Sequence, residues 1–317
     1  MLFRSALRQM MLGLPVQGPD GKSATVSLPC GLAISNAEVQ GQLNLARAHS
    51  PRGDAACPPL VLTNCTFVDV APAPRPADRP LANIDLAHAR IAHLSLIDCR
   101  LSQLDLRDAH IDGEFNFSGL GPPQEGAMCW INATGAKICG DVNGTGARLE
   151  LAAHAQHPSH LPHDMALQMR EASVAGSMAL RAGFVCIGGL RLPRRIGGDV
   201  WIDGAELRGN GRDALNAERS DIGGCLVMRP RERDGKVLPF VAQGRINLAS
   251  AHIAQGLELS GAHLQGDPTA PENTALAGWW LRVDGDFLAQ EWASEQGQAL
   301  PFRCDGVLSL VSATIAQ

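Results

Sequence analysis

Residues 154 to 164 read HAQHPSHLPHD, so His154, His157, His160 and His163 recur at every third position and end against Asp164. Imidazole nitrogens are common ligands for zinc and related cations, and histidine-rich tracts bind such metals. Steps of three could line one face of a helix, but Pro158 and Pro162 break a helix there. These four histidines are therefore candidate metal ligands on a loop. Whether the loop belongs to a site depends on the elements that carry it.

Other residues capable of chemistry have plainer readings. Nine cysteines is an odd count with irregular spacing and no CxxC pair, which indicates neither a zinc knuckle nor a disulfide framework, and fits a reducing compartment. Cys65 and Cys99 fall where neighbouring units carry Ala89 and Ala109, and Cys186 and Cys304 align with Ala242, so burial as small apolar side chains is expected. Gly21-Lys22-Ser23 lacks the earlier glycine of a phosphate-binding loop, since position 16 is Val. A Pro-Asp-Gly turn between two extended segments accounts for it.

The stretches CGDVNGTGA and RIGGDVW do not complete a dinucleotide fingerprint, and their glycines are expected at corners that need a positive φ. Asp199, Asp203, Glu206 and Asp221 are outward carboxylates that a polysaccharide-degrading β-helix could use, if they shared one groove. No catalytic residue, cofactor-binding residue or cofactor is assigned.

The positioning elements emerge from residues 84 to 111, IDLAHARIAHLSLIDCRLSQLDLRDAHI. Apolar or small residues fall at Ile84, Leu86, Ala89, Ile91, Leu94, Leu96, Cys99, Leu101, Leu104, Leu106, Ala109 and Ile111. The steps alternate two and three, a five-residue period that fits neither a helix nor a flat half-buried strand. A short extended segment that turns a corner and starts again does fit. Four such segments close a coil of roughly 20 residues, and stacked coils pair as parallel strands around one apolar column.

Here the sequence resembles the pentapeptide-repeat proteins, whose unit is A-(D/N)-L-x-x. Ala89-Arg90-Ile91, Cys99-Arg100-Leu101, Leu104-Asp105-Leu106 and Ala109-His110-Ile111 match its first three positions, with divergence in the middle one. The resemblance implies an all-β fold, a right-handed quadrilateral parallel β-helix.

Longer blocks continue the pattern. FVAQGRINLASAHI at 240 to 253 aligns with FRCDGVLSLVSATI at 302 to 315 and, with one deletion, with FVCIGGLRLPRRI at 184 to 196. A second block recurs as ALQMREASVAGSM, ALNAERSDIGGCL and ALAGWWLRVDGDF from residues 166, 214 and 275. These blocks resemble a diverged bacterial family labelled membrane-associated oxidoreductase, although no cofactor motif accompanies them.

One solenoid domain over 1–317 is therefore expected. Residues 1–20 form an N-terminal cap with a short helix, loops leave the array at 51–59, 71–80, 151–165 and 265–274, and the last coil is incomplete. The connectors before Ala166, Ala214 and Ala275 differ in length and composition, which marks the histidine run as an insertion. Only 4% of residues are aromatic, so an interior of Leu, Ile, Val and Ala is expected.

The net charge of -5 argues against broad binding of nucleic acid. The pattern is explained by stacking, which leaves exposed faces for function and points to a non-catalytic scaffold for an unidentified protein partner. End-to-end assembly of the open coil and a cytoplasmic location are also expected, with membrane association only through a segment outside this chain. Alternatives are a DNA-mimicking topoisomerase inhibitor and a β-helix enzyme acting on polysaccharide.

Overall fold

The structure is a computed structural model, and it describes residues 4–12, 14–17, 23–25, 28, 31–48, 56–68, 83–151, 165–211, 213–267 and 272–316. The chain winds as a four-sided parallel β-helix. In chain order around a coil, side I holds ten strands, from Leu32–Ser35 through Leu94–Ile97 and Phe115–Asn116 to Phe287–Leu288. Side II pairs Glu38–Gln40 with Thr66–Val68, then stacks six strands from Arg148–Glu150 to Arg303–Asp305. Side III has ten strands from Leu43–Asn44 to Val307–Ser309, and side IV nine from Arg90–Ile91 to Thr314–Ile315.

The five-residue grammar sets this register. Leu94 pairs with Phe115 and Met178 with Val200, steps close to the coil length the sequence predicts. The two composite blocks fall on the same column of side III, where Leu167, Leu190, Leu215, Ile246 and Leu276 stack in turn. Such strands of two to four residues are too short to make a core alone. Only their stacking makes a continuous core, from Leu7 at one end to Val283 at the other.

Aromatic residues play a larger part in that core than their number suggests. Phe67, Phe115, Phe117, Phe184 and Phe240 are the largest fully buried side chains, and the rings of Phe115 and Phe117 lie 4.9 Å apart. A few large residues are enough because the column is narrow.

The corners explain the remaining pattern. After side III, the Asp or Asn at the end of the strand accepts a hydrogen bond from the backbone two residues on, as Asp85 does from Ala87, Asp105 from Arg107 and Asn247 from Ala249. One residue further, the chain turns through a left-handed conformation, at His88 (φ 57°), Asp108 (φ 53°) and Ser250 (φ 55°). The side-chain bond holds a conformation that would otherwise cost these residues energy.

Glycines at the corner from side IV to side I have another cause. Gly140, Gly197 and Gly198 do not have positive φ, contrary to expectation. They are needed because the coils touch there: a Cβ on Gly197 would lie 2.1 Å from the Ala175 carbonyl oxygen, and one on Gly223 2.4 Å from that of Gly197.

The helix Arg4–Met11 packs against Pro15–Gln17 and Leu43–Asn44, with Leu7 and Met11 buried. Pro15–Gln17 and Ser23–Thr25 form the expected pair of extended segments, antiparallel, while the turn at 18–22 lies outside the described residues. So do loop 71–80 and most of 151–165, with parts of 51–59 and 265–274.

The described strands on either side of 71–80, 151–165 and 265–274 belong in each case to side II and then side III. Two further insertions were not expected: the hairpins Arg231–Arg233/Lys236–Leu238 and Trp292–Ala293/Ala299–Leu300, at the corner between sides I and II. Counted from side I, the last coil runs from Phe287–Leu288 through Arg303–Asp305 and Val307–Ser309 to Thr314–Ile315. It therefore has a strand on all four sides where an incomplete coil was expected, and it exposes Val307, Val311 and Ile315. Among the described residues no helix is long and apolar enough to cross a membrane.

Candidate functional site

Side IV concentrates titratable side chains in register. Alternate residues of a strand face outward, and parallel stacking places the same position of each coil in one column. One outward column runs Arg90, His110, Lys137, Ser173, Arg195, Asp221, His252, Arg282. Two positions on, the next column includes Asp112, Cys139 and Asp284. The result is an open wall of both signs rather than an acidic stripe.

Near the C-terminal end of the wall, His252 bridges two carboxylates. Its Nδ1 lies 2.9 Å from Asp221 and its Nε2 2.9 Å from Asp284, whose other oxygen accepts a bond from Arg282 Nε at 2.6 Å. The bonds to Asp284 and then Asp221 raise the His252 pKa above its ordinary value. The bonds from Arg282 and then His252 lower that of Asp284.

At mid-wall, Arg194, Arg195 and Arg219 line a surface hollow of about 300 Å³ together with Glu171, Ser173 and Asp221. Arg194 donates to the Arg219 carbonyl at 2.6 Å, and the Arg195 and Asp221 side chains approach within 3.9 Å. Most of the Arg195 and Arg219 side chains is exposed, 78% and 70% respectively, so their charges face solvent.

Toward the N-terminal end, His110 Nε2 lies 3.1 Å from Asp112 Oδ1 and 3.5 Å from Cys139 Sγ on the next coil. The same carboxylate oxygen accepts a bond from Arg90 Nε at 3.1 Å. These residues were not singled out in the sequence, although AHIDG and AKICG align in the repeat and place Asp112 opposite Cys139.

The residues proposed from sequence fare differently. His154, His157, His160 and His163 lie outside the described residues. Cys65, Cys99 and Cys186 are fully buried, as expected, and Cys304 partly so. Burial pushes the thiol of Cys99 up to about 11 and that of Cys186 to about 12, which keeps both protonated and unreactive.

Asp199, Asp203, Glu206 and Asp221 are not brought together. Asp199 accepts the Cys225 backbone N–H at the corner between sides IV and I, and Glu206 pairs with Arg208 on side II. Asp203 is buried at the end of side I and paired with Arg231 of a hairpin at 2.6 Å, while Asp221 stands on side IV. The sequence could not separate them, because outward positions of all four sides carry the same five-residue signature.

No family model, curated protein or solved structure matches this chain.

Proposed function

We propose that this chain is a non-catalytic β-solenoid scaffold that binds a protein partner along side IV, within a diverged pentapeptide-repeat-like lineage. One observation carries the reading. The wall presents exposed charges of both signs in fixed register, with an arginine-lined hollow at its centre. Such a surface suits a partner with a complementary pattern whose acidic side chains enter that hollow. Registered strands keep the charges in place before binding, which reduces the ordering cost of association.

The alternation of Arg90, Asp112, Lys137, Arg195, Asp221 and Arg282 weighs against DNA mimicry. The dispersal of the four carboxylates weighs against glycoside hydrolysis, which needs two of them flanking one bond.

The test is differential capture from cell extract. Three baits are compared: the intact chain, a side IV variant (Arg195→Glu, Arg219→Glu, Asp284→Lys), and a side II variant (Arg148→Glu, Arg303→Glu). The expected outcome is a set of proteins held by the intact and side II baits and lost from the side IV bait. Equal capture by all three would refute the assignment.

A further inference from the structure

His110, Asp112 and Cys139 carry an inference that goes beyond the scaffold reading. Their ligating atoms, an imidazole nitrogen, a carboxylate oxygen and a thiol sulfur, lie within 4.8 Å of one another. We propose that they form a three-ligand site for a borderline divalent cation, zinc in particular.

The two separations from His110 are close to those of a bound ion. The Asp112 oxygen and Cys139 sulfur lie within 4.8 Å of each other, a gap that rotation of the exposed carboxylate and thiol can close. A tetrahedral zinc about 2.0–2.1 Å from nitrogen or oxygen and about 2.3 Å from sulfur separates N from S by about 3.5 Å and N from O by about 3.4 Å. The corresponding separations here are 3.5 Å for His110 Nε2 to Cys139 Sγ and 3.1 Å for His110 Nε2 to Asp112 Oδ1. The donor set of one nitrogen, one oxygen and one sulfur favours zinc or cobalt over magnesium or calcium, which prefer oxygen alone.

The backbone holds the donors in place. His110 and Asp112 lie two residues apart and face the same way. Cys139 is opposite Asp112 on the next coil, its N–H bonded to the Ile111 carbonyl at 2.9 Å. Gly113 and Gly140, the residues immediately after Asp112 and Cys139, pack so closely on the preceding coil that a Cβ would come within 2.9 and 2.7 Å of its backbone. That corner therefore cannot shift freely.

Arg90, on the coil before, donates to Asp112 and orients the carboxylate as an outer partner of the site. Arg90 and Lys137 are also the outward residues on either side of His110 in its column. As the cation enters, the Cys139 thiol proton leaves to solvent, and neutral His110 carries its ring proton on Nδ1 so that Nε2 can ligate. The dication is balanced by one thiolate and one carboxylate. The fourth tetrahedral position faces solvent and takes a water molecule or a donor from a partner.

The test is a cobalt(II) titration of the full chain, repeated with His154, His157, His160 and His163 all changed to Asn so that the loop cannot supply ligands. Cobalt bound to a thiolate gives a near-ultraviolet charge-transfer band, and four-coordinate cobalt gives intense visible bands. The expected outcome is one equivalent with both signatures in both chains, displaced by zinc.

Cys139→Ser should abolish the charge-transfer band, and His110→Ala and Asp112→Asn should each weaken binding at least tenfold. Cys225→Ser, which removes another incompletely buried thiol, should change nothing. These side chains sit on the outer wall, so circular dichroism is expected to show the fold intact. Retention of the band in Cys139→Ser, undiminished affinity in His110→Ala, or loss of all binding with the loop histidines would overturn the proposal.

Discussion

At the residue scale, His252 gives the wall a defined dependence on pH. Its pKa is raised by Asp284 and Asp221, so its contribution to stability is complete below the unfolded histidine value of about 6.5 and is lost as pH rises through the higher folded value. Asp284 has the opposite sign. Its pKa is lowered, so its contribution is present above about 3.9 and is lost as pH falls through the folded value. Both operate together between about pH 4 and 6.5. His252→Asn should therefore lower the melting temperature most near pH 5–6, by about 2 °C for exposed pairs of this kind, with the difference shrinking above pH 8. A pH-independent difference between the two proteins would contradict the assignment. The sequence conceals this cluster because its members lie about thirty positions apart and meet only through register. His110 and Cys139 are hidden for the same reason. The run at 154 to 163 stands out because its histidines are neighbours in sequence, which says nothing about what faces them.

At the element scale, the corners determine what a coil can tolerate. The alternating two-and-three step is legible because two inward positions per side must be apolar whatever the outside does. Outward residues are free to vary, so the sequence reveals the column but not the wall. Of the two hairpins at the corner between sides I and II, the first is marked in the sequence by the Asp234-Gly235 turn, both residues at positive φ, whereas the second has no such two-residue turn and is hidden. The glycines between sides IV and I were legible as corners, but their cause is close packing rather than backbone sign. Gly223→Ala should accordingly cost about 1–3 kcal/mol, because the new methyl group would meet the Gly197 carbonyl oxygen at 2.4 Å. Gly256→Ala, whose nearest neighbour would be the Asp286 carbonyl oxygen at 3.3 Å, should cost less. Urea denaturation midpoints compare the two directly. Equal losses would mean that coil-to-coil contact is not what requires glycine there.

At the scale of the whole molecule, a closed interior and an open wall divide the work. The column from Leu7 to Val283 is filled by apolar side chains and gives the solenoid its rigidity. Function then belongs to what the rigid walls display, and side IV displays the densest set of registered charges. The most direct measurement is site-specific photo-crosslinking in cells, with a photoreactive amino acid placed at Lys137 or Ser173 on side IV and, for comparison, at Gln243 on side II. The account predicts discrete crosslinked species from the side IV positions and none from side II. Crosslinks that are equally abundant from both walls, or that come only from side II, would contradict it.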